Sequence, residues 1–230
     1  MRVKQLLIAA MGLALAVPSI ASAQFSEDFD AYATGTSMHG VNGWKGWDNN
    51  PAATAFTSDA QAQSAPNSVA IGPTSDLVHE FFGYTTGAWV VRIMQYIPSS
   101  TIGQQYFLLL NEYNDGGPYN WSTQIQFLDG LLVINDGDGT STPIIANQWI
   151  EIRVEIDLDA NSQTIYYDGA LLAVSSWTEG ITGGGSLNIG AVDLFSNGAT
   201  EIYYDDFSIE SANPTPIIDS SWGEIKATFK

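Results

Sequence analysis

The chain predicts an all-β fold, a single antiparallel two-sheet β-sandwich, and three observations carry that prediction. Short candidate strands recur between clusters of Gly, Asn, Asp and Pro. No apolar spacing of three and four residues persists over a useful length after residue 24, so helices are not expected. The third observation is the stretch 149–174, WIEIRVEIDLDANSQTIYYDGALLAV. Here Ile150, Ile152, Val154, Ile156 and Leu158 alternate with Glu151, Arg153, Glu155, Asp157 and Asp159, a strand with one buried and one wet face. Residues 159–163 turn the chain, 164–167 run back, and Asp168-Gly169 turns it again into 170–174. Asp-Gly between apolar runs marks a hairpin, because Gly accepts the positive φ of a primed turn.

Strands are expected in order over 25–30, 53–57, 68–71, 76–82, 88–97, 104–112, 121–128, 131–134, 143–145, 149–158, 164–167, 170–174, 186–195 and 201–210. The period of two assigns their faces. Strand 88–97 places Trp89, Val91 and Ile93 on one side and Arg92, Met94 and Tyr96 on the other. Strand 121–128 places Ile125 and Phe127 inward and Ser122, Gln124 and Gln126 outward. In the last strand Tyr203, Asp205, Phe207 and Ile209 share a face. The run Asn135-Asp136-Gly137-Asp138-Gly139 lacks the spaced ligands and terminal Glu of a calcium loop and reads as a polar hairpin turn.

The ends are read separately from the sandwich, which is expected over 24–210. Arg2 and Lys4, an apolar stretch over 6–17 and Ala21-Ser22-Ala23 form a secretory signal over 1–23, with cleavage before Gln24. No other segment is long and apolar enough to cross a bilayer, so a soluble exported protein is expected: periplasmic, extracellular or cell-surface. Pro214 and Pro216 mark a linker over 211–220. Trp222, Ile225 and Phe229 give 221–230 a short amphipathic spacing.

The whole chain has 7 Lys+Arg against 25 Asp+Glu, a net charge of −18. Without Arg2 and Lys4 it has 5 against 25, or −20. So acidic a surface excludes nucleic acid and anionic membranes, which require basic patches. There is no Cys, so an exported domain of this size must rely on core size, on metal, or on both.

Sugars are held by aromatic rings against their C–H faces and by planar polar groups on their hydroxyls. Residues 43–50 and 113–121 are rich in both, and Trp177 adds another ring. The candidate carbohydrate-binding residues are Arg92, Tyr96, Tyr113, Tyr119, Trp121, Gln124 and Gln126. A lyase reading has His39, His79, Arg92 and several tyrosines available, but no recognisable motif. There is no nucleophile elbow, His-Glu-x-x-His or phosphate loop.

The 149–174 hairpin resembles that of laminin-G-like and concanavalin A-like jelly rolls. The opening Phe25-Ser-Glu-Asp-Phe-Asp-Ala-Tyr32 and closing Ile202-Tyr-Tyr-Asp-Asp-Phe-Ser-Ile209 resemble the first and last strands of concanavalin A-like lectin/glucanase domains. The resemblance implies a jelly-roll fold and an extracellular polysaccharide or glycan as partner. It also implies one structural Ca²⁺ on Asp205, with Glu27 and Asp28 near the first strand. A carboxylate facing the core must in any case be paired, hydrogen-bonded or metal-bound. Glu155-Ile156-Asp157-Leu158-Asp159 is similar to the Glu-Ile-Asp-x-Glu catalytic strand of laminarinase-like glycoside hydrolases, with Asp159 where that pattern has Glu. The expectation is therefore a secreted, non-catalytic carbohydrate-binding or adhesive module. The alternatives are a polysaccharide hydrolase or lyase using Glu155, Asp157 and Asp159, and a structural cell-surface protein.

Overall fold

A computed structural model describes residues 25–212, so the signal segment, most of the expected linker and the amphipathic tail lie outside the described residues. In chain order the strands are β1 (Phe25–Glu27), β2 (Trp44–Gly46), β3 (Phe56–Ser58), β4 (Ser68–Ile71), β5 (Asp76–Glu80), β6 (Ala88–Tyr96), β7 (Gln104–Tyr113) and β8 (Tyr119–Leu128). They continue with β9 (Leu132–Asn135), β10 (Ser141–Pro143), β11 (Trp149–Asp157), β12 (Ser162–Tyr167), β13 (Ala170–Ser176), β14 (Ala191–Asn197) and β15 (Ile202–Ser211). The expected strands lacked β2, whose three residues, Trp44-Lys45-Gly46, are too few to display a period.

The strands form two antiparallel sheets, as predicted. Sheet A runs β13-β12-β11-β6-β15-β4-β3, with β1 also paired to β15; sheet B runs β10-β9-β8-β7-β14-β5-β2. The alternating residues of β11 are buried against sheet B, from Ile150 through Val154 to Ile156. Facing them are Phe107 and Leu109 of β7, Ile125 and Phe127 of β8, and Val192 and Leu194 of β14. Each such side chain contributes about 1.5–3 kcal/mol by leaving water. Two hydrogen bonds bridge buried polar groups in the core: Gln95 Nε2 donates to Tyr204 Oη at 2.9 Å, and Gln163 Nε2 to the Ser122 carbonyl at 2.6 Å. Asp168 and Gly169 turn between β12 and β13 with φ of 49° and 75°, the primed-turn geometry expected of that pair.

Two β-bulges overturn face assignments made from strict alternation. In β15 the register with β6 shifts between Asp205 and Ser208, where Asp206 adopts φ 47°. Asp205 therefore stays with Tyr203 on the outer side of sheet A, opposite Met94, while Phe207 and Ile209 enter the core. In β8 the register shifts opposite Leu109 and Leu110. Ser122 becomes fully buried and Trp121 turns to the outer face of sheet B with Gln124. A bulge adds one residue and so inverts the parity beyond it.

Candidate functional site

Sheet B carries a second, smaller apolar cluster on its outer face, made of Val78, Leu108, Leu110, Tyr113 and Ala191. Register places the outward residues in rows. Asp76, Phe195, Tyr106 and Gln126 form one row; Val78, Asp193, Leu108 and Gln124 the next; Ala191, Leu110 and Trp121 a third. Above them is an open groove of about 410 Å³, lined by Trp47, Tyr106, Tyr119, Trp121, Phe195, Gln124, Asp76 and Asp193, among others.

The turn after β2 supplies the groove's upper wall. Trp47 lies parallel to Trp121, with planes 8° apart and centroids 6.1 Å apart, and also contacts Tyr113 and Tyr119. Asp48, at φ 54°, fixes that turn to the β7–β8 loop. Its carboxylate accepts from Tyr119 Oη at 2.5 Å and from Gly116 N at 2.9 Å, and its own N–H donates to Tyr113 Oη. The bonds to the carboxylate, Tyr119's first and then Gly116's, hold the Asp48 carboxyl below its ordinary value. The lower wall is Tyr106 stacked on Phe195 at 5.7 Å, and Gln126 Nε2 donates to Tyr106 Oη at 2.8 Å.

Two carboxylates form the floor. Asp193 is 3% exposed, and one oxygen each of Asp193 and Asp76 is buried without a hydrogen-bond partner. Burial pushes Asp76 up to about 6, against a hydrogen bond with Asp193 that pulls it down. Burial, then the neighbouring Asp76, holds Asp193 well above the usual carboxylate range. The two carboxyls are neighbours on this floor, so the charge on one disfavours ionisation of the other.

Of the sequence-predicted sugar ligands, Tyr113, Tyr119, Trp121, Gln124 and Gln126 share this face. Tyr113 is 6% exposed, so it supports Trp47 and offers little ring surface itself. Arg92 and Tyr96 are on the outer face of sheet A and cannot join them. Arg92 pairs with Glu151 at 2.7 Å, and Tyr96 packs on Trp149 and Tyr203. Trp177 is core, with Nε1 donating to the Asn188 carbonyl. His79 is core as well, packed on Phe25 and Trp44, and burial lowers its pKa. His39 Nδ1 accepts from Gly46 N.

The Glu155, Asp157 and Asp159 set also lies on sheet A, away from the groove. Glu155 pairs with Arg153, Asp157 accepts from Ala160 N, and Asp159 accepts from Gly87 N. These are the bonds of a strand running into a turn, and Glu155 and Asp157 line a separate surface cavity on sheet A. Sequence reasoning missed Trp47 as a groove wall, and Asp76 and Asp193 altogether. The available signal was Asp193 itself, a carboxylate inside the apolar run Ala191-Val-Asp-Leu-Phe195.

The residues expected to hold calcium are engaged by protein donors, and Glu27 and Asp28 line a cavity with Asp206. Asp205 is fully buried beneath residues 63–64 and accepts from Gln63 N, Ser64 N and Asp206 N. Burial pushes its carboxyl up to about 7 against those three donors. Glu27 accepts from Phe29 N, Tyr32 Oη and Asn42 Nδ2, and Asp28 from Asp30 N. Among the described residues no three His, Asp or Glu side chains are grouped as metal ligands.

No family model matches the chain, and no curated protein matches it. Among solved structures it is similar to a sialidase, with a TM-score of 0.56 and 9% identity over 84% of this chain and 19% of that one. It is also similar to alginate lyase Aly36B in complex with alginate tetrasaccharide, with a TM-score of 0.55 and 12% identity over 86% and 100%. A third is a Trypanosoma rangeli sialidase mutant displaying trans-sialidase activity, with a TM-score of 0.51 and 10% identity over 70% and 28%. This chain thus spans about a fifth of the sialidase in the first comparison, at 19%. At such identities these likenesses establish a fold, the β-sandwich found in glycosidase and lyase chains.

Proposed function

We propose that this protein is an exported β-sandwich of the concanavalin A-like type that binds a glycan chain in the sheet B groove without cutting it. The observation that carries this reading is the pair of near-parallel indoles, Trp47 and Trp121, above a floor of Gln and Asp side chains. Flat rings receive the C–H faces of a sugar, while amides and carboxylates fix its hydroxyls. The similar sandwiches in a sialidase and an alginate lyase support a glycan as the ligand class. Export rests on the 1–23 signal pattern. A glycan-cleaving enzyme is the second reading, favoured by the raised carboxyls of Asp76 and Asp193, as proton-transferring groups require.

A glycan array paired with a reducing-sugar assay separates the two. Binding without release of reducing ends is expected, with Trp121→Ala lowering affinity at least tenfold, about 1.4 kcal/mol. Tyr96→Ala, on the other sheet, serves as the control and leaves affinity unchanged. Turnover lost in Asp76→Asn would replace the binding reading with the enzymatic one. Absence of any glycan signal would remove both and leave a structural surface role.

A further inference from the structure

We infer that the Asp76–Asp193 pair is the polar anchor of the groove and that the ligand it selects is an uncharged sugar chain. This inference rests on the glycan-binding reading and adds the ligand class and the residues that choose it. Asp193 sits at the centre of sheet B, between β5 and β7, and Asp76 is two residues diagonal to it on the same face. Each presents a buried oxygen that no protein donor reaches, and both line the cavity. A buried acceptor without a donor is unfavourable for the free protein. Sugar hydroxyls are donors of the kind these acceptors lack, while the ring's C–H face meets Trp121 or Tyr106. The site is unsatisfied alone and satisfied when occupied.

Charge decides which sugars qualify. The described residues contain three Lys or Arg: Lys45, Arg92 and Arg153. Arg92 and Arg153 belong to sheet A. Lys45 is on the sheet B side but is held between Glu80 and Asp115, and no Lys, Arg or His lines the groove. A uronate or sulfate would enter a low-dielectric floor of like charge with no cation to neutralise it. The groove therefore differs in ligand class from the alginate-bound lyase it resembles in fold.

Binding is measured by calorimetry and affinity electrophoresis, using mixed-linkage β-glucan, xylan and galactomannan as neutral probes, alginate and polygalacturonate as polyanions, and chitosan as a polycation. At least one neutral probe binds and the polyanions do not. Asp193→Leu weakens neutral binding about tenfold or more, and Asp193→Asn, which keeps one carbonyl acceptor, weakens it less. Both variants melt higher than the wild type by roughly 2–4 °C, since a buried unpaired carboxyl is removed. Unchanged affinity with a lowered melting temperature would make the pair structural and overturn the inference. Polyanion or chitosan binding that depends on Trp121 would also overturn it while leaving the glycan groove standing. Neutral binding insensitive to both Trp121→Ala and Asp193→Leu would sink the groove as well.

Discussion

Glu27 shows how much of a side chain's chemistry its neighbours take up. Its position in β1 suits a metal ligand, yet one oxygen accepts from Phe29 N at 3.0 Å and the other from Tyr32 Oη and Asn42 Nδ2. Gln keeps one acceptor oxygen but sets an NH2 donor against a protein donor in place of the other, so Glu27→Gln is expected to cost about 1–3 kcal/mol. Melting curves in EGTA and in excess Ca²⁺ are expected to coincide for the wild type and for this variant. A calcium-dependent rise abolished by Glu27→Gln would show that the carboxylates rearrange around an ion. The same scale explains Trp121 and Ser122. Their order in the sequence fits either face, and only the bulge opposite Leu109 and Leu110 turns the indole outward and the hydroxyl inward. Asp193 was overlooked for a related reason, since a lone carboxylate in an apolar strand carries no sign of which sheet face it occupies.

Among the elements, the β11-β12-β13 meander is the most legible, because alternation and turn chemistry agree along it. Ile150 to Leu158 go inward without interruption, and Asp168-Gly169 supplies the left-handed pair its hairpin requires. Gly169 has open space around an added Cβ, so its role is conformational alone. Gly169→Val is therefore expected to destabilise by about 1–2 kcal/mol through backbone strain, read as a lower urea midpoint at unchanged slope. A neutral result would show that the turn relaxes to another type. β15 was less legible. Its two halves pair with different strands, β4 through Tyr204 and β1 from Phe207, and the bulge at Asp206 joins them. Nothing in the alternation of Tyr203-Tyr-Asp-Asp-Phe207 announces where that join falls.

Across the whole molecule, acidity and burial combine into a pH dependence. Asp76 and Asp205 are pushed by burial up to about 6 and about 7, and Asp193 is raised as well. In the unfolded chain these groups release their protons near the ordinary carboxylate value of about 4. Between pH 4 and 7 the native state thus binds more protons than the unfolded one. The stability these groups contribute is fully present below about pH 4 and is lost as pH rises through their folded values. His79, lowered by burial, acts oppositely and favours the higher end of that range. The carboxyl contribution is isolated by difference: Asp193→Asn should flatten the fall in melting temperature between pH 5 and 7.5. An identical slope in wild type and variant would show that Asp193 does not titrate in this window.

The sandwich, most strand positions and the acidic surface were legible in the sequence, because each depends on local period, turn residues or composition. Tyr119, Trp121, Gln124 and Gln126 were legible as candidate sugar contacts, since aromatic and amide side chains have that chemistry wherever they lie. The tertiary structure decided which of the candidates meet. Arg92 and Tyr96 have the same residue types and the same alternation, but β6 belongs to sheet A while β8 belongs to sheet B. The tertiary structure also brought Trp47, from a turn about seventy residues earlier, onto Trp121, and Asp76 beside Asp193 across more than a hundred residues. Strand order and bulges are set by which packing of two sheets best fills one core, a property of the whole chain that no local window contains.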